Sequence, residues 1–155
     1  MNRVNEIISF GCRFFLAGIW ILAGYYKVWD PQGFSHSVAA YNILPLWAVN
    51  FCSVIIAWLE IIIGLLFLVG LWIKPSAAWS LGLFSFYSLL MIRAGITGAV
   101  HDCGCLPGHA IPAGYMHVLP NIFFSLLSMR ILRRPGSWWV IEKNQKPGNQ
   151  LRSHL

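Results

Sequence analysis

Residues 46–73 read LWAVNFCSVIIAWLEIIIGLLFLVGLWI. One charged side chain, Glu60, stands in an otherwise apolar run with no regular alternation of polar and apolar positions. About 20 such residues suffice to cross a hydrocarbon core of roughly 30 Å as a helix. A spanning segment must satisfy its own backbone groups, which a helix does. Strands of a membrane barrel would alternate instead. Three further runs, Ile8–Tyr26, Ser76–Ile96 and Tyr115–Leu132, have the same character. The expected fold is therefore an all-α membrane protein: a four-transmembrane-helix bundle over residues 1–134, followed by a mobile cytoplasmic tail over 135–155.

Composition agrees with that class. Of 155 residues, 57% are hydrophobic and 10% charged, against about 25% charged in a typical soluble domain. The first run follows a basic residue, Arg3, but is too long for the apolar core of a signal peptide and precedes no small-residue cleavage site. Tyr25, Tyr26 and Trp29 read as interfacial anchors. The net charge of +6 is a topology signal. With four alternating spans, Arg3, Lys74, Arg130, Arg133, Arg134, Lys143, Lys146 and Arg152 fall on one side, and Lys27 and Arg93 near the other. The positive-inside rule then puts both termini in the cytoplasm. Attraction to anionic membrane lipid follows from the same charge. No recognition motif accompanies it, so nucleic acid is not an expected partner.

Between the first two runs, Asp30-Pro31-Gln32-Gly33 is a turn signal. Phe34, Val38 and Tyr41 then recur at helical spacing, which predicts a short helix on the outer membrane surface, ended by Pro45. Lys74-Pro75-Ser76 is a very short inner turn, which makes the second and third spans antiparallel neighbours. Residues 97–114 hold four glycines and two prolines, and no regular element is expected there. Pro135-Gly136 ends the last helix.

The glycine-rich interval contains His101-Asp102-Cys103-Gly104-Cys105. Two thiols one residue apart can exchange two electrons as a dithiol or disulfide, or grip a soft metal. The topology sets them on the exoplasmic face, an oxidising compartment in bacteria. A disulfide across so small a ring tends to be strained, hence oxidising, and suits exchange better than a structural staple. Gly104 gives the backbone freedom to bring the sulfurs together. His101 can lower a thiol pKa or shuttle a proton. Alternatively His101 and His109 complete a metal set with Cys103 and Cys105. Asp102 reads as a turn residue, and Cys12 and Cys52 as packing.

Glu60 is a functional candidate by default, since a carboxylate in mid-membrane is costly unless paired, protonated or hydrated. A pair with an Arg or Lys inside the bundle would serve structure. Arg93 and Lys27 either reach the outer surface or stabilise an anion, a thiolate or a reduced quinone. Arg13 is expected to reach the inner surface. Gly18, Gly24, Gly64, Gly70 and Gly82 are expected to permit close helix packing.

Taken in order, Ala23 to Phe34 (AGYYKVWDPQGF), Tyr41 to Pro45 (YNILP), Leu59-Glu60 through Gly64 and Gly70, Arg93-Ala94-Gly95 and Cys103-Gly104-Cys105 resemble the MauE branch of the DoxX-like membrane proteins. The similarity covers residues 10 to 132. The resemblance implies a four-helix protein of the bacterial inner membrane with a role in periplasmic disulfide chemistry, as in maturation of the disulfide-rich small subunit of methylamine dehydrogenase. DoxX-like relatives imply a link to quinone-coupled sulfur oxidation. The family often continues the thiol pair as CGCFG, whereas here Leu106-Pro107-Gly108 follows. The thiol pair, Lys27, Asp30, Glu60 and Arg93 match.

The expected function is a membrane thiol–disulfide oxidoreductase. Cys103 and Cys105 form the redox-active pair. The partner is a periplasmic thioredoxin-like protein or an exported substrate, and His101, Arg93 and Glu60 assist catalysis. Lys27 and Arg93 would contact a quinone that accepts the electrons. The other readings are a copper- or mercury-binding transport protein and a non-catalytic membrane subunit of a redox complex.

Overall fold

A computed structural model describes residues 3–97 and 115–136. Five helices make up those residues: α1 Arg3–Trp29, α2 Pro31–Ala40, α3 Leu46–Val69, α4 Ile73–Thr97 and α5 Tyr115–Arg133. The long four begin and end within a few residues of the apolar runs, because the runs are what makes them helical.

Their directions follow from the contacts. Gly24 of α1 lies against Ala57 and Ile61, and Gly64 against Ala17 and Ile21, so α1 and α3 run antiparallel. Ser80 meets Ser128 and Phe84 meets Phe124, so α4 and α5 are antiparallel too. Trp20 reaches Ser80 and Lys27 reaches Tyr87, which makes α1 and α4 parallel. The result is an up-down bundle. The α3–α4 turn and both ends of residues 3–136 share one end, where Ser9 Oγ donates to the Arg134 carbonyl at 3.0 Å. The opposite end carries α2, and α4 finishes and α5 starts there, with Met91, Ala94 and Val118 packed against Tyr41.

The bundle's polarity is inverted relative to a soluble protein. Phe51, Val54, Ile55, Trp58, Ile62 and Leu65 cover the outside of α3, while Ser53 and Glu60 are buried. Ser76, Ser80 and Ser128 are buried as well. An extended apolar surface of this kind needs a non-aqueous environment or a partner. Among the described residues, α1, α3 and α4 are long and apolar enough to cross a membrane. Helix α5 has the length, 19 residues, but His117, Pro120, Asn121, Ser125, Ser128 and Arg130 dilute its apolar character.

Several local expectations change. Asp30-Pro31-Gln32-Gly33 is a helix start, not a turn: Asp30 is the N-cap, its Oδ1 accepts from the Gly33 amide at 2.9 Å, and Pro31 opens α2. Asp and Pro favour that role because the cap satisfies an orphan donor and proline lacks one to satisfy. Helix α2 also buries Phe34 against the bundle and so is more than a surface element. The turn between α3 and α4 lies earlier than Lys74-Pro75-Ser76. Gly70 caps α3 in the left-handed region, φ 79°, its amide bonded to the Leu66 carbonyl, and Pro75 sits in the first turn of α4, where a missing amide costs nothing. Helices α3 and α4 are antiparallel, but they approach each other sparsely; α3 pairs with α1, and α4 with α5.

Of the five glycines expected at helix contacts, Gly24 and Gly64 serve there. A Cβ at Gly24 would lie 2.6 Å from Ile61 Cγ1 and 2.9 Å from the Ala57 carbonyl; one at Gly64 would lie 2.6 Å from Ile21 Cγ1. Gly18 and Gly82 face open space. Arg13 does not reach the surface. It is 2% exposed, its guanidinium 5.3 and 5.4 Å from the ring centres of Phe10 and Phe14. Those distances are within cation–π range.

Candidate functional site

Near the end of α1, the helix face that carries Trp20 and Gly24 inward also turns Lys27 inward. Opposite it stands Glu60 of α3. Lys27 is 5% exposed and Glu60 is fully buried, and the two form a salt bridge through Glu60 Oε1. The same oxygen accepts from the Tyr87 hydroxyl of α4. Lys27 Nζ lies 3.5 Å from that hydroxyl. It also lies 4.9 Å from the ring centres of Phe34 and Tyr87. Three helices thus meet at one carboxylate oxygen, and α2 closes the ammonium off with an aromatic ring. Glu60 Oε2 is buried and takes no hydrogen bond among the described residues.

The physical logic is plain. A lone carboxylate or ammonium in this apolar setting costs several kcal/mol. Pairing them and adding a phenol and two ring faces offsets that cost. The pair carries no net charge, yet it leaves a strong donor in a dry place.

Beside the pair lies a cavity of about 170 Å³. Phe34, Ser37 and Val38 of α2 form one wall, Cys52 and Ile56 of α3 another, and Phe86, Tyr87, Leu90 and Met91 of α4 a third. Tyr41, Ile43 and Leu44 of the α2–α3 connection complete it. Lys27 is the one charged residue among the described residues that line it. The Tyr41 hydroxyl reaches Met91 Sδ at 3.8 Å. The cavity occupies the gap between α3 and α4 away from their turn, and α2 covers it.

The structure therefore brings together two of the residues singled out from sequence, Lys27 and Glu60. Arg93 is exposed and does not line the cavity. Cys103, Cys105, His101 and His109 lie outside the described residues, as do Trp138, Trp139 and the tail from residue 137. The flanks of the thiol segment, Thr97 and Tyr115, are described, and both stand at the α2 end of the bundle. Cys12 and Cys52 are free and half-buried. Cys12 packs on the core, whereas Cys52 lines the cavity. Among the described residues, no group of three or more His, Cys, Asp or Glu could hold a metal ion.

Sequence reasoning missed Tyr87, Phe34 and Tyr41. The available signal for Tyr87 was a phenol inside an apolar run, since a buried Tyr hydroxyl usually finds a partner. Nothing local marked Phe34 as the lid on Lys27.

No curated protein and no solved structure matches the chain. The family model for methylamine utilisation protein MauE matches residues 5–133, all five helices bar the first two residues of α1 and including the segment with both loop cysteines. The chain belongs to the MauE family.

Proposed function

We propose that this chain is a membrane thiol–disulfide oxidoreductase of the bacterial inner membrane, with four spans, cytoplasmic termini and its Cys103–Cys105 pair on the periplasmic side. A thioredoxin-like protein or an exported substrate gives up two thiol protons and two electrons. A thiolate of that partner attacks the Cys103–Cys105 disulfide and forms a mixed disulfide. The partner's second thiolate then resolves it, leaving an oxidised partner and a Cys103/Cys105 dithiol. Reoxidation of that dithiol needs a membrane electron acceptor, for which a quinone is the natural class. His101 beside the pair would favour the thiolate form.

The carrying observation is the CxC pair itself, set in a segment whose two attachment points stand at the end of the bundle that holds the buried Lys27–Glu60–Tyr87 cluster. Membership in the MauE family and the apolar exterior of the bundle support the same reading.

The test is partner trapping in native membranes. A partner that lacks its second thiol cannot resolve the mixed disulfide and should accumulate it on the parent chain, visible as a mass shift that dithiothreitol removes, whereas the Cys103→Ser and Cys105→Ser variants, with no disulfide to be attacked, should form none. Both should leave the exported partner reduced. Full oxidation of the partner in both variants refutes the proposal. Stoichiometric copper or mercury retained through the thiol pair, with no redox transition, would favour the metal-transport reading instead.

A further inference from the structure

We infer that the cavity under α2 receives the ring of a lipid-soluble quinone, with one carbonyl oxygen accepting a hydrogen bond from the Lys27 ammonium. The electron-transfer role of this site rests on the thiol–disulfide reading above; the binding itself does not.

Size, shape and charge all select this class of ligand. The cavity volume of about 170 Å³ is more than ten times the ~10–15 Å³ that one water requires in the same measure. Its walls are apolar and aromatic, with Phe34, Tyr41, Phe86 and Tyr87 offering ring faces and edges to a flat molecule. Ile43 and Phe86, at its rim, are 44% and 45% exposed. They continue the apolar exterior, which favours entry of a lipid-soluble molecule.

The polar wall is specific. An ammonium has three donors. Lys27 directs donors to Glu60 Oε1 and toward the Tyr87 hydroxyl at 3.5 Å, and it faces the Phe34 ring, which accepts only weakly. One donor therefore remains for an acceptor in the cavity. Its charge, however, is already matched by Glu60. A fatty-acid carboxylate or a phosphate would add an unmatched negative charge beside a buried neutral pair, which is unfavourable. A neutral carbonyl oxygen takes the donor and adds no charge. Among lipid-soluble neutral carbonyl compounds, quinones also satisfy the redox balance. Reoxidising the Cys103/Cys105 dithiol removes two electrons and two protons, the amount that converts one quinone to its quinol.

Photolabelling of the full-length chain in lipid nanodiscs with an azido-ubiquinone tests this directly. Labelled peptides should come from residues 34–44, 52–56 and 86–91. Excess decylubiquinone should displace the label, and equimolar oleate should not. Labelling should persist in the Cys103→Ser/Cys105→Ser variant, since no described wall of the cavity comes from that segment. Cys52→Trp fills the cavity from α3 and should reduce labelling at least ten-fold; Val38→Trp, from the peripheral α2, should do the same if the first variant fails to fold. Labels scattered over the lipid-facing surface, displacement by oleate alone, or full labelling in both tryptophan variants overturns the assignment. Absent labelling with partner trapping intact defeats the cavity site alone. Intact labelling with untouched partner oxidation in the cysteine variants defeats the exchange reading alone.

Discussion

Lys27→Met is the sharpest perturbation of the bundle. Methionine keeps much of the unbranched stem but removes the ammonium, and Glu60, fully buried, is left facing the Tyr87 hydroxyl alone. Because Lys27 is 5% exposed and Glu60 fully buried, water does not screen the loss. Removing one partner of such a pair costs about 3–5 kcal/mol. Tyr87→Phe removes one hydrogen bond to a charged acceptor, a loss of about 1.5–3 kcal/mol. The double variant Lys27→Met/Glu60→Gln removes both charges of the pair, and its loss should fall short of the summed losses of Lys27→Met and Glu60→Gln by about 2–3 kcal/mol. Tryptophan fluorescence during SDS titration in mixed micelles reads these stabilities on one scale. A Lys27→Met loss below about 1 kcal/mol, or a double variant additive within about 0.5 kcal/mol, refutes the claim that the pair is desolvated and mutually dependent.

Two further outcomes follow from packing. Gly24→Ala and Gly64→Ala should each destabilise by about 1–3 kcal/mol through overpacking against α3 and α1, whereas Gly18→Ala and Gly82→Ala, facing open space, should be neutral or gain up to about 1 kcal/mol from helix propensity; thermal melts in detergent separate the two groups. Ser80 takes the Trp20 indole N–H at 2.8 Å and meets Ser128 at 2.9 Å, so Ser80→Ala should cost about 1–3 kcal/mol by orphaning a buried donor and should shift Trp20 emission, which a solvent-exposed indole would not do.

The four long helices were legible because a long apolar run declares itself by length and composition, with no need of tertiary information. The same logic identified Glu60 and Lys27 one by one, as charges out of place. Their pairing was not legible, since it depends on which faces α1 and α3 turn to each other, and that is decided by Gly24 and Gly64 at the contact. Asp30-Pro31-Gln32-Gly33 misled because the residues that begin a turn are those that cap a helix, and only the bond from the Gly33 amide distinguishes them. Tyr87 and Phe34 look like ordinary members of apolar segments; their roles arise only when α2 folds back over α3 and α4. Arg93 resembled Lys27 in sequence, a cation at an outer helix end, but its position on α4 sends it outward.

Why the cavity lies where it does follows from the way the bundle is assembled. In lipid there is little hydrophobic drive between helices, so close packing and polar contacts hold them together. Here α1 and α3 mesh through glycines, and α4 and α5 through Ser80, Ser128, Phe84 and Phe124. The two pairs are then joined chiefly through α1: the Trp20 indole on Ser80, the rings of Trp20 and Phe84 and of Phe15 and Phe124, the Ser9 hydroxyl on the Arg134 carbonyl, and the Lys27–Glu60–Tyr87 cluster. Helices α3 and α4 approach each other sparsely, and near the α2 end the joint between them is the Tyr87–Glu60 bond. A gap must open there, and Phe34 and Tyr41 roof it without filling it. Bulk added to that gap from α2, as in Val38→Trp, should therefore leave the melting temperature close to the parent's, while the same substitution at Ala17 or Ala77, both fully buried in the joint, should unfold the bundle. Equal damage at all three positions would mean that the space under α2 is not a standing feature of the fold.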